Sequence, residues 1–98
     1  MPLFPNTIFT NQTSNTTSST FPSDGTVRTV FCSGTFDGAI VKIQSSPDNS
    51  NWFDIDGLTF NAPANTPDPV NFQIAAAVNL RATVTNAGAS TSISLTIS

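Results

Sequence analysis

From Val27 onward the chain is written in a two-residue period, and that period constrains its fold more than any other feature. Six short runs carry it: Val27–Cys32, Ala39–Ser45, Trp52–Asp56, Val70–Ile74, Asn79–Thr85 and Ser92–Ile97. Successive side chains of a strand point to opposite faces of a sheet, so such alternation marks a strand with one face in a core and one in water. Val41 and Ile43 read inward, with Lys42 and Gln44 outward. Leu80, Ala82 and Val84 read inward, with Arg81, Thr83 and Thr85 outward. Val70, Phe72 and Ile74 form a further inward set, as do Ile93, Leu95 and Ile97. In Trp52–Asp56, Phe53 and Ile55 alternate with Trp52, Asp54 and Asp56. Val27–Cys32 is partly apolar on both faces, as a central or interface strand is. No segment sustains a 3.6-residue period, so helix is not expected.

The breaks agree with the runs. Asp24-Gly25, Asp37-Gly38 and Asp56-Gly57 are turn dipeptides, because Gly accepts positive φ and Asp bonds nearby backbone. Ser46-Pro47-Asp48-Asn49 opens another turn, with Pro fixing φ at its second position. Asn86–Ala89 reads as the link of a final hairpin between Leu80–Thr85 and Ser92–Ile97. Asn61–Pro69 holds three prolines and reads as the crossover between sheets. A chain of 98 residues fits one domain. The expected fold is all-β: a single antiparallel β-sandwich, jelly-roll-like, over residues 27–98, preceded by an extended N-terminal arm over residues 1–26.

That arm mixes a polar tract (NQTSNTTSST) with scattered apolar residues. A polar tract alone is disordered, since it buries too little area to offset the entropy of ordering. Leu3, Phe4, Ile8, Phe9 and Phe21 are too apolar for a plain linker, and Thr favours extended backbone. The sharper expectation is therefore an arm that adds a strand to the edge of a neighbouring subunit, with Leu3, Phe4, Ile8 and Phe9 as anchors.

Catalytic equipment is scarce. The chain has no His, so a Ser-His-Asp triad and a histidine metal site are excluded. Cys32 is the only cysteine and reads as an inert core thiol. Asp54 and Asp56 stand about 6–7 Å apart by strand rise and read as solvated residues. Calcium binding by Asp48, Asp54 and Asp56 is the alternative for the aspartates, but no calcium-loop spacing is present. No enzyme, cofactor or metal is expected. A net charge of −3, with Arg28, Lys42 and Arg81 as the only bases, excludes the clustered cations that nucleic-acid binding needs. No run approaches a membrane span, and MPLFPNTIF lacks the basic start and apolar core of an export signal. Trp52 has two readings: a platform for stacking a sugar ring, or a residue closing the end of the core or a subunit contact.

The pieces GTFDGAIVKI and SPDNSNWFDI, followed by LRATVTNAGASTSISLTI, resemble small β-sandwich structural proteins of tailed bacteriophages. The likeness covers residues 34–60 and 80–97. It implies a virion component on the capsid surface, of the decoration or cement kind, working as a homotrimer through non-covalent contacts with the major capsid protein. Neck, tail and head-fibre parts belong to the same class of sandwich. A module recognising glycans through Trp52 is the competing expectation.

Overall fold

The computed structural model describes residues 6–61 and 67–98, and among them every regular element is a strand. These are β1 (Asn6–Gln12), β2 (Thr16–Thr17), β3 (Phe21–Pro22), β4 (Val27–Thr35), β5 (Ile40–Ser46), β6 (Phe53–Asn61), β7 (Val70–Gln73), β8 (Asn79–Thr85) and β9 (Ser92–Ile97). They form two antiparallel sheets. Sheet A has the order β1-β9-β4-β7, and sheet B has the order β2-β8-β5-β6, with β3 also paired to β8. Thr16–Thr17 pair with Val84–Thr83, and Phe21–Pro22 pair with Leu80–Asn79. β2 and β3 are thus two pieces of one strand lying along β8. With those pieces counted together, the eight strands have the order of a jelly roll.

The period-two residues meet between the sheets. Val30, Cys32, Ile93, Leu95 and Ile97 from sheet A face Val41, Ile43, Leu80, Ala82 and Val84 from sheet B, and all are buried. Val70, Phe72 and Ile74 pack at the margin of this core. β4 is central in its sheet, as its two-sided apolar pattern implies, with Val30 and Cys32 inward and Val27 and Phe31 exposed. Burial pushes the Cys32 thiol up to about 12, which keeps it protonated and unreactive.

Four expectations require correction. Over its described residues, the 1–26 segment is not an arm lying on a neighbour. β1 pairs with β9, from Asn6↔Ile97 to Gln12↔Ile93, and Phe9 and Phe21 are buried in the chain's own core. Without β1 the strand β9 would be an open edge, and the Thr-rich tract supplies a cheap extended strand to cover it. The boundary expected at residue 27 therefore falls inside the jelly roll.

Leu80–Thr85 and Ser92–Ile97 do not form a hairpin, because β8 lies in sheet B and β9 in sheet A. Their link is a corner. Asp37-Gly38 makes the matching corner between β4 and β5, with φ of 46° and 86° and an Ala39 N–H to Phe36 C=O bond of 2.8 Å. The two corners clasp each other. Thr91 Oγ1 donates to Phe36 C=O at 2.7 Å, Ser90 N–H to Asp37 Oδ2 at 2.8 Å, and Asn86 Nδ2 to Gly38 C=O at 3.0 Å.

Asp56-Gly57 is not a turn either. Gly57, at φ 82°, lies within β6, where Lys42 faces Thr59 while Gln44 already faces Asp54. The extra residues bulge from the strand, and β6 resumes to bury Leu58 and Phe60. Among the described strands, the one pair adjacent in both sequence and sheet is β5 with β6.

Candidate functional site on the outer face of sheet B

The outward residues of β5, β6 and β8 meet in two rows set by strand register. Asp54, Gln44 and Arg81 stand side by side in one row. Thr59, Lys42, Thr83 and Thr17 form the next. Each is the outward member of an alternating strand, so the pattern that builds the core also assembles this face.

The first row is bonded throughout. Gln44 Nε2 donates to Asp54 Oδ1 at 2.8 Å, and Arg81 Nε donates to Gln44 Oε1 at 2.9 Å. Lys42 Nζ donates to Asp54 Oδ2 at 3.0 Å, tying the rows together. The half-buried Trp52 ring lies under the Arg81 guanidinium, 4.2 Å from carbon to ring centroid, a cation–π contact. The Trp52 ring thus supports the Arg81 guanidinium. Beside these residues is a shallow depression of about 530 Å³, reaching from Gln44 and Arg81 to Asn15, Thr16 and Thr17.

The aspartates are engaged one by one. The Gln44 amide and then the Lys42 ammonium hold the Asp54 carboxyl below its ordinary value. Asp48 is held well below it by the Asn51 and Ser50 N–H groups and the Asn51 amide, which fix the turn after β5. Asp24 is held low by Arg28 first and Thr26 next. No group of three or more His, Cys, Asp or Glu gathers among the described residues, so the calcium alternative lacks its ligand set. Asp54 and Asp56 instead charge the free edge of β6, which discourages edge-to-edge pairing.

These carboxyls set the acid response. A carboxyl whose folded pKa lies below its unfolded value of about 4 adds stability above that value and loses it as pH falls through the folded pKa. Thermal midpoints are therefore expected to be level from neutral pH down to about pH 5 and to drop on further acidification below about pH 4. Midpoints that rise on acidification would contradict these contacts.

The expected arm anchors have divided fates. Leu3 and Phe4 lie outside the described residues, as do positions 62–66 of the Pro-rich loop. Ile8 is half-buried and packs on the core, and Phe9, only 6% exposed, is part of it. Arg81, Lys42 and Gln44 were legible only as outward residues. Their one further signal was scarcity, since two of the chain's three bases sit on this face.

Compared with models of protein families, with curated proteins and with solved structures, the chain gives no match.

Proposed function

We propose that the chain is a virion structural protein of the capsid-decoration kind, working through surface contacts and not through chemistry. The observation that carries this reading is the outer face of sheet A. Phe31 is 47% exposed near its centre, and Val27 is 58% exposed on the same strand. The outward positions around them, Thr7, Thr29, Ser33, Ser94, Thr96 and Asn71, are all uncharged. An uncharged sheet face with a central aromatic buries against another protein without desolvating charge, the chemistry of an interface core.

Two further points support it. Residues 34–60 and 80–97, which resemble phage structural proteins, contribute the end of β4, all of β5, nearly all of β6, most of β8 and all of β9, so the likeness falls on the framework of the sandwich. Jelly rolls also recur in viral capsid proteins, although fold alone does not fix function. The major capsid protein is the proposed partner and the homotrimer the proposed assembly, both carried over from that class.

Deleting the N-terminal residues is not a clean test, because it removes strands of the fold. Phe31→Asp changes only the surface. Mixed with undecorated heads of the phage that encodes it, the wild-type chain is expected to co-sediment in proportion to capsid subunits. The variant should bind about tenfold to a hundredfold more weakly, the loss of one buried aromatic contact. Undiminished binding by a folded Phe31→Asp chain would remove this face from the interface, and wild-type chain that stays in the supernatant would sink the reading.

A further inference from the structure

Charge on this molecule is distributed unevenly, and the imbalance falls at one place. Of the three bases, Arg28 pairs with Asp24, and Lys42 and Arg81 both line the depression on sheet B. Asp54 cancels Lys42 through its ion pair. Arg81 has no carboxylate partner among the described residues, so an acidic protein presents one uncompensated positive charge there.

The guanidinium is also held in place. Trp52 covers one face and Gln44 engages Nε, while the Gln44 amide is anchored on Asp54. The two terminal nitrogens of Arg81 make no hydrogen bond or ion pair with another described residue. A planar fork fixed in this way matches the two oxygens of a carboxylate and loses little freedom on binding. Most of the remaining lining is hydroxyl and amide, from Asn15, Thr16, Thr17, Thr83 and Thr85, with Lys42 and the apolar Val84 beside them. Such groups suit a polyol.

We propose that this depression binds a sugar bearing a single carboxylate, of the uronic or sialic acid class. The Arg81 terminal nitrogens take the carboxylate, and the threonine hydroxyls with the Asn15 amide take ring hydroxyls. One net positive charge suits a monoanion better than a phosphate dianion, and it is far too little for a nucleic-acid backbone. The glycan contact is thereby moved from the Trp52 ring to the arginine that ring supports. The proposal stands apart from the virion reading, and its failure would leave that reading untouched.

The test is a titration of the full chain followed by NMR at the Arg81 Nε–H and the Trp52 indole N–H. Glucuronate and N-acetylneuraminate are the probes, with glucose and acetate as controls. At least one acidic sugar is expected to give saturable shifts, with both controls weaker by about tenfold or more. Arg81→Gln should abolish saturation. Arg81→Lys, which keeps the charge but loses the fork, should weaken binding by about tenfold and serves if the glutamine variant does not fold. No saturation with either acid, an equal response to glucose or to acetate, or unchanged binding in a folded Arg81 variant would overturn the proposal.

Discussion

Gly34→Ala is expected to remove most of the stability of this domain. Gly34 lies in β4 opposite Ile93 of β9, with φ at +124°, a conformation that side chains of L-residues rarely adopt. A Cβ at this position would stand 1.9 Å from the Ser92 carbonyl oxygen and 3.0 Å from its carbon. The colliding atoms are backbone, in the pairing that joins the two central strands of sheet A, so no side-chain rotation relieves the clash. Backbone strain of this kind costs about 1–3 kcal/mol and overpacking about as much again. Against a total of roughly 5–15 kcal/mol for a small domain, the sum is severe. Chemical denaturation should show a loss of about 3 kcal/mol or more, or the variant should be recovered only as aggregate. A loss below about 1 kcal/mol would mean that β4 and β9 are not held this closely.

The second large effect is expected from a chain beginning at Gly25. It lacks β1, β2 and β3, and with them the buried rings of Phe9 and Phe21, each contributing about 1.5–3 kcal/mol by burial. It also lacks Ser23, whose hydroxyl accepts from Val78 N–H at 3.1 Å and donates to the Ala75 carbonyl, holding the turn before β8. The exposed edges of β9 and β8 are then open to pairing with other chains. The shortened chain should show no cooperative thermal transition and should elute as aggregate in gel filtration. A sharp transition within a few degrees of the full chain would demote the three strands to an appendage.

How much of this was legible follows from where the information lies. Side-chain alternation is local, so the inward sets of β5, β8 and β9 could be read residue by residue. In β4 both faces are apolar, and only the structure decides that Val30 and Cys32 go in while Val27 and Phe31 stay out. β1–β3 were hidden because their tract has almost no alternation: among their described side chains only Phe9 and Phe21 are buried, set among Asn, Ser and Thr. The partnership of β8 and β9 was misread because a short link says nothing about which sheet the chain enters next. The site was less legible than the fold. Arg81 meets Trp52 and Gln44 only through the pairing of β8 with β5, and no pattern within any one run reports that register.

That strand order has a consequence for the birth of the molecule. β9 sits between β1 and β4, both of which are made before it. Sheet A therefore lacks its middle until residues 92–97 have left the ribosome, and β1 must wait for its partner until every other described strand has been made. Contacts so distant in sequence close slowly. A half-made chain would expose Val30, Cys32 and the edges of its strands meanwhile. The sparse, hydroxyl-rich composition of the early segment is well suited to that interval, because it stays solvated without charge until the last strand arrives.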